Sequence, residues 1–263
     1  MTEGTAPGTA VYDPTRPNIA RVYDYLLGGK DHFAVDRAFT EELLRQQPQL
    51  RANARANRAF MRRVVRFAAG AGVRQFLDLG SGLPTGENVH EVAQAIDPQA
   101  QIVYVDNDPV VAAHGRAILV SAPGVTFALA DMHDPADVIA QARESLDLTR
   151  PVAVMCISLL HFVPDDAQAA GIVAALTAPL AAGSLLTFTH WKYIPSDEDS
   201  FQAYSGSVHA IARRGQRELR ALVPAGWELI EPGLVPVTDW RPAADDPSVA
   251  EEIGFYAAVA RKP

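Results

Sequence analysis

Behind Pro17-Asn18, the apolar residues Ile19, Val22, Tyr23 and Leu26 fall at i, i+3, i+4 and i+7, and Gly28-Gly29 stops the run. The spacing predicts a short amphipathic helix, preceded by a frayed Gly/Thr/Ala/Pro tail over 1–15. A second helix is expected from a Thr40 cap through Leu43 and Leu44 to about Pro48. A third is expected over about 52–69, with Phe60, Val64 and Phe67 on one face and Gly70 and Gly72 at its end. From Val73 the texture changes to short apolar runs that alternate with helical patterns, as in consecutive β-α-β units. Strands are predicted over 75–79, 102–105, 125–130, 152–157 and 185–189. The helices between them start at Thr85 (Val89, Val92, Ala93 and Ile96 as the apolar stripe), at Asp108-Pro109 and near Asp165. The last part is less regular: a polar stretch over 196–205, helical material over 207–223, and a closing β pair at 227–230 and 255–260, its final strand antiparallel. The fold class is therefore α/β: a Rossmann-like, mostly parallel sheet with N-terminal helices.

Composition narrows the picture. In 263 residues, 48% are hydrophobic and 21% charged, enough apolar material for a sizeable core, and no linker divides the chain. One domain is expected over 16–263. The formal net charge of −8 disfavours a general nucleic-acid binder. Arg51, Arg55, Arg58, Arg62, Arg63 and Arg66 read as the solvated face of the third helix. Cys156 is the one cysteine, which excludes an intrachain disulfide and a cysteine-based zinc cluster; within its apolar run it reads as a buried thiol. No His/Asp/Glu spacing suggests a metal. The N-terminus lacks a signal-peptide pattern and no apolar run reaches ~18 residues. A cytoplasmic protein without membrane association is expected, its oligomeric state left open.

Candidate chemistry begins at Phe76-Leu77-Asp78-Leu79-Gly80-Ser81-Gly82-Leu83-Pro84, a buried strand entering a glycine turn. Glycines there let backbone N–H groups approach a ligand at the carboxyl edge of the sheet. A dinucleotide fingerprint would need a third glycine where Thr85 stands, which disfavours a nicotinamide-dependent oxidoreductase. Asp78 suits instead a ligand with positive charge and no phosphate, such as the sulfonium and α-ammonium of S-adenosylmethionine. Asp106 closes the second strand where an acid accepts ribose hydroxyls, and Asn107 beside it can line an adenine. After the third strand, Asp131 can accept from the adenine amino group while Met132 packs on the ring.

Asp78, Asp106 and Asp131 in this order follow the class I methyltransferase pattern. A narrower resemblance rests on Ala20-Arg21-Val22-Tyr23-Asp24-Tyr25-Leu26-Leu27-Gly28-Gly29-Lys30-Asp31, on Ala56-Asn57-Arg58-Ala59-Phe60, on residues 75–84, on Tyr104-Val105-Asp106-Asn107-Asp108-Pro109, on Leu160-His161-Phe162-Val163-Pro164-Asp165 and on residues 236–241. From about Pro17 onward the chain resembles the actinobacterial S-adenosyl-L-methionine-dependent methyltransferase family, formerly a domain of unknown function. The resemblance implies a class I methyltransferase sheet and S-adenosyl-L-methionine as cofactor, and leaves the acceptor undefined.

The fourth strand ends at Ile157-Ser158-Leu159-Leu160-His161, the edge where class I enzymes hold the transferred methyl group. A neutral His161 there can take a proton from the nucleophile, and Ser158 can meet the methionyl part. His190, Trp191 and Tyr193 are candidates for an acceptor wall. The N-terminal helices, about 17–70, are expected to act as a lid, with Tyr25, Gly28 and Lys30 at the pocket and Gly28-Gly29 as a hinge. The expected activity is methyl transfer to a small-molecule acceptor; the alternative is a non-catalytic S-adenosylmethionine-binding sensor or scaffold.

Overall fold

Alternation of side chains along the strands sorts the core into two layers, one on each face of a single sheet. The computed structural model describes residues 13–119, 122–192, 210–247 and 253–263. Three helices come first: α1 (Ile19–Leu27), α2 (Ala34–Gln46) and α3 (Leu50–Gly70). There follow β1 (Gln75–Leu79), α4 (Val89–Gln94), β2 (Gln101–Asp106), α5 (Pro109–His114) with a π-helical turn over Gly115–Leu119, β3 (Val125–Leu129), α6 (Pro135–Ala142) and β4 (Ala153–Cys156). The chain continues through a 3-10 turn (Leu160–Phe162), α7 (Asp166–Thr177), β5 (Leu185–Trp191), α8 (Gln216–Ala221), β6 (Glu228–Leu229), β7 (Val235–Pro236) and β8 (Phe255–Arg261).

The strand order is β3-β2-β1-β4-β5-β8-β6, with β7 also paired to β8. Strands β1 to β5 run parallel, and β8 returns antiparallel along β5 from Leu185↔Arg261 to Trp191↔Phe255. Strand order reverses at β1, between β2 and β4, so the crevice at its carboxyl end is where such sheets take ligands. Leu77, Val103, Val105, Val154 and Phe188 pack under α6 and α7, while Phe76, Ile102, Tyr104, Met155 and Val259 pack under α3 and α4. Val22, Leu26, Leu43, Leu50 and Ala54 form a smaller cluster that joins α1, α2 and α3, with Trp191 against it. Among the described residues no helix is long and apolar enough to cross a membrane.

Several boundaries differ from the sequence expectation for local reasons. Helix α2 begins at Ala34; Thr40 lies inside it, buried, with its hydroxyl bonded back to the Asp36 carbonyl at 2.7 Å and not to a free N–H. The start is set by Asp36, whose carboxylate accepts the Phe33 N–H at 2.8 Å. Helix α4 is capped by the Asn88 and Glu91 pair rather than by Thr85, and Ile96 falls beyond it, 46% exposed. Helix α6 was not expected, although Asp134-Pro135 repeats the start signal of Asp108-Pro109. Strand β5 runs on through His190 and Trp191 because β8 pairs with both. The polar stretch over 196–205, Tyr193 and residues 1–12 lie outside the described residues.

The arginines of α3 are a solvated face only in part: Arg55 and Arg66 are exposed, whereas the others turn toward partners in the fold. Arg63 is buried and donates to the Trp240 and Val237 carbonyls and to Asp246. Arg66 pairs with Asp245, Arg62 with Glu87 and Arg51 with Glu41. The helix therefore anchors residues 237–246, and Trp240, fully buried, lies edge-on to Phe60 and Phe67 at 5.4 and 5.6 Å. Trp240→Ala is expected to lower unfolding free energy by about 3–5 kcal/mol in chemical denaturation, since a large cavity opens between α3 and the C-terminal segment. A loss below about 1 kcal/mol would show that this segment does not anchor the fold.

Candidate active site

The turn after β1 is stitched to the end of β2. Gly80 and Gly82 both take a left-handed φ of 64°, and a Cβ on Gly80 would stand 2.5 Å from Leu159 Cδ1. The Gly80 and Ser81 N–H groups donate to the Val105 carbonyl at 2.8 and 3.1 Å, and the Gly82 N–H donates to Asp106 Oδ2 at 2.9 Å. Asp106 Oδ1 accepts the Asp108 N–H at 3.0 Å. Asp108 in turn caps α5 through Val110 N at 2.7 Å, which leaves Asp106 at the strand end free of a capping role. After β3, Asp131 accepts from His133 N at 2.9 Å and from Asn107 Nδ2 at 3.2 Å. After β4 the chain bends at Ser158, a non-glycine residue at φ 58° whose N–H donates to Thr189 Oγ1 at 2.8 Å.

These ends open into one cavity of about 380 Å³, within the range of small-molecule sites. Asp78, Gly80, Ser81, Gly82, Asp106, Asn107, Asp131, Met132, Ser158 and His161 all lie on its wall. Tyr25, Gly28 and Lys30, expected at the pocket, do not lie on that wall. Along α1 the face of Ile19, Val22, Tyr23 and Leu26 meets the cavity, and Tyr25, two residues and about 200° on from Tyr23, points the other way. Its hydroxyl bonds to Glu41, and the Arg51 guanidinium lies 4.8 Å from its ring centre. Gly28 and Lys30 are exposed, in a corner built around Asp24. The Asp24 carboxylate accepts the Asp31 N–H at 3.0 Å, and a Cβ on Gly29 would meet its Oδ1 at 1.9 Å. Close packing on Asp24 requires glycine at position 29, and the left-handed φ of 84° favours it at position 28, which gives the motif a structural reason.

Other wall residues were not foreseen: Tyr23, Asn18, Arg58 and Phe255. The helical period already put Tyr23 on the apolar face, which was the available signal. Asn18 Nδ2 donates to Asp108 Oδ2 at 2.7 Å across 90 residues, a contact no local pattern announces. Trp191 is on the wall, tilted against Phe255 at 4.6 Å, whereas His190 is buried behind it. His190 Nδ1 meets the Trp191 carbonyl at 2.9 Å, so the hydrogen sits there, and Nε2 accepts from Arg214 Nη1 at 3.0 Å.

Burial dominates the electrostatics. It pushes the Asp78 carboxyl up to about 7, against the pull of the Arg58 charge and with further push from Asp106. It raises Asp106 to about 6, although the Gly82 and Asp108 N–H groups favour the charged form. Burial also raises Asp131, but the bonds from His133 and Asn107 outweigh it and hold that carboxyl below its usual range. His161 is held well below the ordinary imidazole value by burial, and by His190 and Arg214 beside it; its Nδ1 has no hydrogen-bond partner among the described residues. The ring is neutral at neutral pH.

The donor set fits a nucleoside-bearing cation. Two raised carboxyl groups await positive charge or hydroxyl donors, the Ser81 hydroxyl is buried without a partner among the described residues, and the space over Gly82 is open to a close backbone contact. Fold and site together define a class I, Rossmann-like methyltransferase. The chain belongs to the S-adenosyl methyltransferase family, whose model matches residues 6–263, and S-adenosyl-L-methionine is its methyl donor. It is similar to a DUF574 family protein from Streptomyces avermitilis (39% identity, 95% of this chain and 99% of that chain, TM-score 0.89). It is similar also to a putative methyltransferase from Thermobifida fusca (38% identity, 97% of each chain, TM-score 0.87). The 1,6-didemethyltoxoflavin-N1-methyltransferase of Burkholderia thailandensis shares the fold at 14% identity (86% of each chain, TM-score 0.50). No curated protein sequence matches the chain.

Asp78 and Asp106 have folded-state pKa values above those of the unfolded chain, so the stability they contribute is present below about pH 4 and is lost as pH rises through about 6 to 7. Asp78→Asn should therefore raise the melting temperature of the ligand-free protein at pH 7.5 and flatten its dependence on pH between 5 and 7.5. S-adenosylhomocysteine affinity should fall in the same variant, and in the parent it should rise with pH as Asp78 ionises. Calorimetry across this pH range checks both; a pH-independent affinity would place the Asp78 charge outside binding.

Proposed function

We propose that the chain methylates a small organic molecule held in the inner, apolar end of the cavity, beneath α1 acting as a lid. The observation that carries this reading is the continuity of the cavity. It runs from the carboxylate edge of the sheet to Trp191, Phe255, Val22 and Leu26, and its volume of about 380 Å³ is that of a small-molecule site. The family gives the cofactor, and the 1,6-didemethyltoxoflavin bound in the Burkholderia enzyme is a small molecule, in keeping with this chamber.

In this reading Asp106 accepts both ribose hydroxyls, Asn107, Asp131 and Met132 line the adenine, and Asp78, Gly80, Ser81, Gly82 and Ser158 hold the methionyl part. S-adenosyl-L-methionine supplies a methyl group already activated on a sulfonium, so the protein's work is alignment and exclusion of water. His161, neutral and with an unspent Nδ1, stands at the base of the chamber to accept the proton of the attacking O–H or N–H. Its low basicity suits an acidic nucleophile. Lid closure is supported by the Asn18 bond to Asp108, which ties the N-cap of α1 to the residue whose N–H bonds Asp106.

Titration calorimetry should show binding of S-adenosylhomocysteine and not of NAD. Asp106→Ala should weaken it by roughly 2–4 kcal/mol with folding retained, because ribose hydroxyls lose a charged acceptor in a desolvated site. An unchanged affinity would remove Asp106 from the ribose. For the lid, amide hydrogen exchange over 18–27 should slow when S-adenosylhomocysteine is added, and Asn18→Ala should weaken binding by about 0.5–1.5 kcal/mol. Exchange in α1 that ignores the ligand would reduce the helix to a packing element.

A further inference from the structure

The Ala56-Asn57-Arg58-Ala59-Phe60 motif has no role in the reading above, yet Arg58 stands on the cavity wall. Its four neighbours explain themselves by packing: Ala56, Ala59 and Phe60 are core, and buried Asn57 donates through Nδ2 to the Tyr23 hydroxyl at 2.9 Å. Arg58 is different. Its Nη2 donates to the Thr85 carbonyl at 3.2 Å, the Gly86 carbonyl at 3.1 Å and Asn88 Oδ1 at 3.0 Å, all oxygens of neutral groups. Its Nε is buried and has no hydrogen-bond partner among the described residues. The loop over 85–88 thus fixes the guanidinium in place without neutralising it. Asp78, which lies on the same wall, feels that charge. A braced cation with an unspent donor and a buried carboxylate therefore line one cavity together with the glycine turn.

We propose that Arg58 binds the α-carboxylate of the methionyl group, while Asp78 takes its α-ammonium, so that the two side chains read the zwitterionic end of the cofactor. This rests on the cofactor reading of the site. A guanidinium matches a carboxylate in shape and charge, and a charge-assisted bond in a desolvated wall is stronger than a neutral one. The carboxylate beside Arg58 sets the class of anion: a dianionic phosphate would be repelled by Asp78, whereas an amino acid presents one charge to each partner. Arg58 is then a cofactor-binding residue and the helix it sits on, α3, both roofs the sheet and contributes to the site.

The test compares three ligands on the full-length protein by calorimetry: S-adenosylhomocysteine, its decarboxylated analogue S-adenosyl-3-thiopropylamine, and 5′-methylthioadenosine, which lacks the amino acid altogether. The parent protein should bind S-adenosylhomocysteine at least about tenfold more tightly than the decarboxylated analogue. Arg58→Met should bind those two alike, with affinity for 5′-methylthioadenosine within about twofold of the parent. A variant that weakens all three ligands equally would make Arg58 only a brace for the 85–88 loop, and overturn the proposal. So would a parent protein that does not distinguish S-adenosylhomocysteine from its decarboxylated analogue, a comparison that needs no variant to fold. If the parent binds none of the three, the cofactor reading itself falls; binding of S-adenosylhomocysteine without discrimination sinks the carboxylate assignment alone.

Discussion

Two carboxylates, Asp78 buried and Asp106 half-buried, at the carboxyl edge of neighbouring parallel strands set the terms for the rest of the molecule. Asp78 and Asp106 come to one edge because β1 and β2 run in the same direction and pair in register, Asp78 opposite Tyr104. Burial disfavours their charged forms. At Asp106 two backbone N–H groups offset part of that cost, and the same bonds fix the glycine turn. At Asp78 the offset comes from the Arg58 charge, held by the loop over 85–88. These acids contribute no stability once ionised, and the fold rests chiefly on the two apolar layers on the faces of the sheet.

The N-terminal helices belong to this logic. A buried ion pair, Arg21 with Asp36 at 2.7 Å, locks α1 to α2, and a hydrogen-bonding contact between Asp24 Oδ2 and His32 Nδ1 at 2.9 Å closes the corner between them. Such pairs give orientation more than net stability, because desolvation consumes most of their attraction. With α1 and α2 held as a unit, Val22 and Leu26 can face the cavity instead of solvent. Asn18 then joins that unit to Asp108, one bond away from the Asp106 carboxylate.

At the opposite end of the cavity, Arg214 shapes the chamber from behind. Fully buried, it donates to the Leu160 and Val163 carbonyls, pairs with Asp166 and bonds His190. It thereby holds the turn that presents His161. The charge beside the two imidazoles adds to burial in keeping both neutral. The aromatic wall of Trp191 and Phe255 is a product of β5 and β8 pairing at that level.

The sequence by itself determined the sheet and the order of its acids. Short apolar runs, the glycine turn after Asp78, and Asp106 and Asp131 at strand ends are local signals, because strand burial, turn conformation and distance to the next strand act over a few residues. The Arg58 and Arg63 side chains looked like a solvated helix face, since composition cannot tell an exposed arginine from one whose partners lie far along the chain. Those partners, Thr85 to Asn88 and Val237 to Asp246, exist only once α3 is laid over the sheet. Tyr25 was favoured over Tyr23 for the pocket for the same reason: helical period separates two faces but does not say which of them meets the ligand. That choice was made by tertiary packing, where the Arg21–Asp36 pair and the Asn18–Asp108 bond fix the rotation of α1 about its own axis and turn Tyr23 inward.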